Sequence, residues 1–216
     1  YPDLTIHRLV DELNRGKKSV TVNIATPEGQ DIVRELAKTC DVMMENYKVG
    51  DLKRYRLDYE SIKAFKPGII YCSVTGFGQT GPYAPRAGYD AILQAMGGLM
   101  SVTGHLDGEP GAGPMKVGPS IVDYMTGMNS SIGILAALYQ RTQSGRGQRV
   151  EVAMQDSVLN LVRVKMRDHQ RLQHGPLSEY PNKTFGAAVP RSGNASGGGH
   201  PGTALRCKPG GQNDYV

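Results

Sequence analysis

The order of strand-like and helix-like segments in the first 75 residues constrains the fold more than any other feature. Ser19–Ile24 alternates apolar and polar side chains, as a strand does. Thr26-Pro27-Glu28 then carries the marks of a helix start: threonine as N-cap, proline at the first helical position, an acid in the first turn. Ile32 and Leu36, with Val33, offer that helix an apolar face. Asp41–Glu45 reads as a short strand, Tyr59–Phe65 as a helix, and Ile69–Val74 as a buried strand rich in β-branched and aromatic residues. This βαβα succession selects an α/β, Rossmann-like parallel sheet flanked by helices.

Beyond it, a Gly/Pro loop (Gly76–Gly88) leads to a helical stretch over Tyr89–Met100. A second Gly/Pro-rich connection, His105–Pro119, precedes a long helix over Ser120–Thr142. Its Met125, Met128, Ile132 and Leu135 recur at three- and four-residue spacing. Ser144-Gly145-Arg146-Gly147 stops it. Gln148–Met154 is strand-like. Asp156, or Gln155 before it, opens a further helix whose inner face is expected to carry Leu159, Val162 and Met166. His174–Gly202 is largely loop, and Ala204–Lys208 has the composition of a strand start. In open α/β sheets, ligands bind beyond the C-terminal ends of the strands. That rule points to the Asn46–Gly50 turn and to the loop beginning at Gly76.

Composition narrows the function. The 216 residues, 39% hydrophobic and 21% charged, suffice for a sizeable core. Apolar runs such as Ile132–Leu138 are far too short to span a membrane. The net charge of +5 fits an anionic ligand. Basic residues are scattered, however, and with no Trp and three Phe there is no aromatic platform for nucleic acid. A nucleotide-bearing small molecule suits the charge better. Three widely spaced cysteines, with no Cys-x-x-Cys, give no metal spacing. Cys40 and Cys72 read as core residues, and a reducing, cytoplasmic setting is expected. No signal segment opens the chain; Tyr1 in first place and the bare end at Val216 suggest a longer native protein. Walker A, dinucleotide-binding and Gly-x-Ser-x-Gly motifs are absent.

Chemistry-bearing candidates remain. Arg191–Gly202 holds three consecutive glycines, Gly197, Gly198 and Gly199. Their backbone N–H groups suit a carboxylate or a developing oxyanion, while a flexible linker is the alternative. His200 follows them, either as a ligand or proton-transfer residue or as an exposed loop residue. Asp123, at the start of the long helix, can be a cap, a solvated acid or a nucleophile. Asp156 shares that ambiguity, with capping preferred. Tyr89-Asp90 could line a pocket, and Arg54 and Arg56 could meet a phosphate.

Several segments together resemble the family III CoA-transferases: Lys17-Lys18-Ser19-Val20 with Thr26-Pro27-Glu28-Gly29; Asp41-Val42-Met43-Met44-Glu45-Asn46; Gly133-Ile134-Leu135-Ala136-Ala137-Leu138; and Gly145-Arg146-Gly147-Gln148. Met154–Leu172 and the glycine loop are closer to the formyl-CoA enzymes within that family. The resemblance implies the family fold, with residues 1–172 forming part of a large CoA-binding α/β domain. Residues 173–216 would then be the glycine-loop segment and a linker. It places the catalytic aspartate on Asp123, ten residues before the Gly-Ile-Leu block, with Gly197 and Gly198 assisting catalysis. CoA and substrate contacts fall on Val22, Asn23, Ile24, Ala25, Asn46, Tyr47, Lys48, Arg54, Tyr89, Asp90, Gly199 and His200. It further implies an acyl-CoA and a small carboxylate as partners, with formate and oxalate as the pair. On the same resemblance coenzyme A is expected as the substrate thioester with no permanently bound cofactor, and the intact protein as an interlocked homodimer; no metal, nucleic acid or membrane is expected to take part. The sequence departs from the formyl-CoA pattern at Ala87, where those enzymes carry lysine, at Ser196 in place of the first loop glycine, and at His200 in place of glutamine. These positions leave another acceptor such as succinate open, and an inactive CoA-binding fragment stands as the alternative outside catalysis.

Overall fold

A computed structural model describes residues 13–175, 177, 180, 188–194, 204, 205 and 207. Three strands, β1 (Val42–Glu45), β2 (Ile70–Thr75) and β3 (Gln148–Ala153), form a sheet in the order β1-β2-β3. All pairings are parallel, with Val42 beside Ile70 and Ile70 beside Gln148. The α/β expectation therefore holds. The helices are α1 (Pro27–Thr39), α2 (Tyr59–Phe65), α3 (Asp90–Met96), α4 (Ile121–Ser144) and α5 (Met154–Arg171). Short 3-10 turns lie at Asp51–Tyr55, Met100–Val102 and Leu172–His174.

Ser19–Ile24 is not a strand. These residues are irregular and mostly exposed, and the chain turns at Asn23, whose carbonyl accepts from Thr26 N at 3.2 Å. Alternation gives a segment strand propensity, but a strand needs a neighbour for its backbone groups. Among the described residues no strand pairs with this segment. Helix α1 starts as its sequence dictates, with Thr26 Oγ1 accepting from Gly29 N at 3.2 Å and Pro27 in the first turn. Its inner face is carried by Val33 and Ala37, while Ile32 and Leu36 are each 47% exposed. Two apolar rows one residue apart satisfy the same helical period, so spacing alone did not choose between them. Ala37 packs with Leu52, Leu57, Ile62, Ile69 and Tyr71 into one core cluster. Cys72 is fully buried, but Cys40, just past the end of α1, is exposed.

Helix α4 inverts the expected pattern. Its buried positions are Val122, Thr126, Ser130 and Ala137. Met128, Ile132 and Leu135 are exposed, along with Tyr124 and Tyr139. Small residues let the helix approach β3 closely: a Cβ on Gly133 would lie 2.7 Å from Val150 Cγ1. The two inward hydroxyls donate to their own helix, Thr126 to Val122 O at 2.7 Å and Ser130 to Thr126 O at 2.8 Å. They are thereby satisfied without water. Gly145, at φ 67°, ends the helix in the left-handed region.

Helix α5 begins at Met154 with Ala153 as N-cap, so Asp156 sits exposed in the first turn and is not a cap. Val158 and Val162 face inward as a helical pair, whereas Leu159 and Met166 face outward. Helix α3 is shorter than its apolar pattern. It stops at Gly97, where a Cβ would come within 1.9 Å of Val158 Cγ1 on α5. A second core cluster, Leu93, Val122, Met154 and Val158, joins α3, α4 and α5. Ala204, Leu205 and Cys207 belong to no strand, and the rest of that segment lies outside the described residues.

The N-terminal end of the sheet is clamped. Arg141, in the last turn of α4, donates to Gly68 O and to Asp41 Oδ1, both at 2.9 Å. Among the described residues no helix is long and apolar enough to cross a membrane, and no cluster of His, Cys, Asp or Glu is arranged to hold a metal ion.

Candidate active site

With the lower edge fixed, the open end of the sheet is the C-terminal one. A cleft of about 850 Å³ lies there. Met44 to Val49 form one wall, at the end of β1 and the turn after it. Val74 to Gly76, at the end of β2, form the floor. Ala84 and Arg86 to Asp90 form the second wall, and Asp123, Thr126, Gly127 and Ser130 of α4 close the back. Both the Asn46–Gly50 turn and the loop from Gly76 thus sit where the strand-end rule put them.

Two glycines hold the wall to the floor. Gly76 and Gly88, at opposite ends of one loop, touch backbone to backbone. A Cβ on Gly88 would lie 2.4 Å from Gly76 Cα, and one on Gly76 would lie 2.6 Å from Gly88 Cα. No larger residue permits that approach. The carbonyl of Gly76 also accepts from Gln155 N at 2.9 Å, tying the loop to α5.

Asp123 stands in the first turn of α4 and faces the cleft while remaining solvent-accessible. Ser120, the N-cap, makes no side-chain hydrogen bond to the helix. The cap comes instead from α3: Asp90 Oδ1 accepts from Val122 N at 2.9 Å and from Asp123 N at 3.4 Å. Partial burial in the cleft wall, then the nearby Asp90 charge, pushes the Asp123 carboxyl above the usual carboxylate range. A carboxylate held this way is more basic, and so a better nucleophile when ionised, than a solvated one.

Of the other expected site residues, Asn46, Tyr47, Lys48, Tyr89 and Asp90 line the cleft with Asp123. Tyr89, the N-cap of α3, is 67% exposed at its rim. Lys48 and Arg86 bring positive charge to opposite walls, and the Arg86 guanidinium lies 4.2 Å from the Tyr83 ring centroid. Val22, Asn23, Ile24 and Ala25 form the turn before α1 and do not line this cleft; Asn23 Oδ1 accepts from Ala25 N at 3.0 Å. Arg54 is likewise outside it, stacked 4.6 Å over Tyr55. Gly197, Gly198, Gly199 and His200 lie outside the described residues. Arg86, Thr126 and Gln94 escaped the sequence reading. A cleft wall within a Gly/Pro loop, and polar residues on an apolar helix face, were the available signals.

The chain belongs to CoA-transferase family III, whose model matches residues 5–211. It is 53% identical over 204 residues to the formyl-CoA:oxalate CoA-transferase of Streptomyces coelicolor, and 54% identical over the same length to that of Streptomyces avermitilis. Each alignment covers 94% of this chain but 48% and 49% of the relatives, so the chain spans about half their length. Among solved structures, a CaiB/BaiF family protein from Brucella suis superposes with a TM-score of 0.75 at 41% identity, over 91% of this chain and 48% of that one. A Mycobacterium tuberculosis protein gives 0.67 at 32% identity, over 73% and 43%.

Proposed function

We propose that the complete protein carrying this chain is a CoA-transferase that moves CoA from formyl-CoA to oxalate, with Asp123 as nucleophile. The observation that carries the reading is Asp123 at the start of α4, facing a cleft that has cationic residues on two walls. The identity to formyl-CoA:oxalate CoA-transferases supports the choice of donor and acceptor.

The chemistry is covalent catalysis by a carboxylate. Asp123 attacks the formyl thioester carbonyl, the C–S bond breaks, and CoA thiolate leaves a mixed anhydride. The thiolate then attacks the aspartyl carbonyl and expels formate, giving an aspartyl-CoA thioester. Oxalate attacks that thioester, releasing thiolate and forming an aspartyl–oxalyl anhydride. Thiolate attack on the oxalyl carbonyl yields oxalyl-CoA and restores the carboxylate. Lys48 and Arg86 suit the phosphates of CoA or the acceptor carboxylate. Asn46, Tyr47 and Tyr89 are assigned to the CoA chain, and Val22–Ala25 and Arg54 to CoA contacts outside the cleft proper. Gly197, Gly198, Gly199 and His200 are assigned to covering the intermediates and holding the acceptor, which limits hydrolysis of the anhydride.

In this reading residues 1–172 belong to the large domain and 173–216 carry the glycine loop. The protein works in the cytoplasm as an interlocked homodimer without a resident cofactor, and the exposed apolar row on α4 supports a partner at that face. The test is mass spectrometry of the complete protein after formyl-CoA and a hydroxylamine trap. A modified peptide containing Asp123, with transfer abolished in Asp123→Ala, is expected. Turnover retained in Asp123→Ala would refute the nucleophile. CoA binding without modification or turnover would favour a non-catalytic CoA-binding role.

A further inference from the structure

Asp90 lines the cleft among the expected CoA contacts, but both of its carboxylate oxygens are engaged within the protein. Oδ1 takes the first-turn amides of α4, and Oδ2 accepts from Gln94 Nε2 at 2.7 Å. Gln94 is fully buried, and its Oε1 accepts from Val117 N at 2.9 Å. A buried glutamine with both ends of its amide engaged, one turn after Asp90 on a seven-residue helix, is a fixed strut. It fastens α3 to the chain entering α4 on one side, while Asp90 fastens it to the first turn on the other.

We infer that Asp90, braced by Gln94, is a positioning residue for Asp123: it supplies from another helix the cap that Ser120 does not, and so fixes where the reactive carboxylate stands. The inference rests on the nucleophile assignment for its kinetic consequences, but its geometric content stands without it. Val122 and Asp123 have amides among the orphan donors of any helix start. A charged oxygen taking both is a stronger cap than a hydroxyl. A carboxylate in this place does a second thing. Of the charged groups lining the cleft, Glu45 at the end of β1, Lys48 in the following turn, Arg86 before α3 and Asp90, it is Asp90 whose charge raises Asp123. The same residue thus fixes the location of Asp123 and adds to the burial that raises its carboxyl.

The test uses the complete protein with Asp90→Ala and Asp90→Asn, after circular dichroism shows both folded. Amide exchange at Val122 and Asp123 is expected to accelerate in Asp90→Ala whether or not the protein turns over. In kinetics, kcat is expected to fall roughly 100-fold in Asp90→Ala, the scale of a misplacement of about 1 Å, with little change in KM for formyl-CoA. In Asp90→Asn, which keeps an acceptor oxygen and loses the charge, the acid limb of kcat and the Asp123 carboxyl titration followed by carbon NMR both move to lower pH. Gln94→Leu is expected to give part of the Asp90→Ala exchange effect, and serves if Asp90→Ala does not fold. Unchanged exchange at 122 and 123 together with an unmoved Asp123 titration would overturn the inference. So would a rise in KM for formyl-CoA with kcat and acid limb intact, which is the behaviour of a CoA contact. If instead wild-type protein shows no transfer, or Asp123→Ala retains it, the functional reading fails while exchange and titration still decide the role of Asp90.

Discussion

Gly88→Ala probes the contact that holds the cleft wall to its floor. The added Cβ would lie 2.4 Å from Gly76 Cα and 2.9 Å from Leu93 Cδ2. Carbon atoms pack at about 3.5–4.0 Å, so the two backbones must part by about 1 Å or more. Leu93 can rotate only into a core where it is fully buried. Overpacking of this kind costs about 1–3 kcal/mol. Against the roughly 5–15 kcal/mol that hold a domain together, that leaves the protein folded. The displaced element, however, carries Tyr89 and Asp90, and through Asp90 the first turn of α4. A shift of about 1 Å at a reacting group costs roughly 100-fold in rate. In the complete protein the expected result is therefore a small drop in thermal stability and, on the proposed reaction, a disproportionate loss of kcat/KM, measured as oxalyl-CoA formed from formyl-CoA and oxalate. Gly118→Ala is the control, because a Cβ there meets nothing within 4 Å. Its kinetics should match wild type. Equal activity in Gly88→Ala and Gly118→Ala would refute the reasoning, as would a Gly88→Ala loss accounted for by unfolding alone.

Two further outcomes are expected. Gly133→Ala should destabilise the wild-type background, where its Cβ meets Val150 Cγ1 at 2.7 Å, yet stabilise a Val150→Ala background by about 0.5–1 kcal/mol through helix propensity; urea denaturation of the four proteins reads the cycle, and equal effects in both backgrounds would exclude the contact. Asp168 is fully buried, and although burial alone would raise its carboxyl, bonds from Tyr180 at 2.6 Å and Arg167 at 2.7 Å, with Arg171 beside them, hold it below the usual range. A carboxyl lowered in the folded state contributes stability that is full above the unfolded carboxylate range and is lost as pH falls through the folded-state value. Asp168→Asn should therefore cost about 1.5–3 kcal/mol at pH 7, nearer the low end because Arg167 and Arg171 are half-exposed, and the gap should close below about pH 4. A gap equal at pH 3 and pH 7 would count against it.

The sequence disclosed the layer order because turn and cap chemistry are local. Thr26-Pro27, Gly145 and the β-branched run into β2 each act within a few residues, and each element formed where those signals stood. It misled where burial depends on what lies opposite. Met128 and Ile132 read as core, yet Thr126 and Ser130 are, because α4 approaches β3 through small residues and its hydroxyls bond to their own helix. Ser19–Ile24 failed for the same reason: no strand among the described residues makes use of its alternation. At the site, Asp123 was visible as an acid at a helix start, but its cap comes from Asp90, 33 residues earlier, and no local pattern announces a pairing at that distance.

Arg141 has a reach beyond its clamp. Its guanidinium closes a loop of 100 residues on Asp41, at the root of the edge strand β1, and the other end of that four-residue strand is the wall holding Asn46, Tyr47 and Lys48. A rod that short transmits tilt. Substitutions around Arg141, at the opposite end of the sheet from the cleft, should therefore register at the turn proposed to meet CoA as altered CoA affinity, and a survey confined to residues that touch the cleft would overlook them.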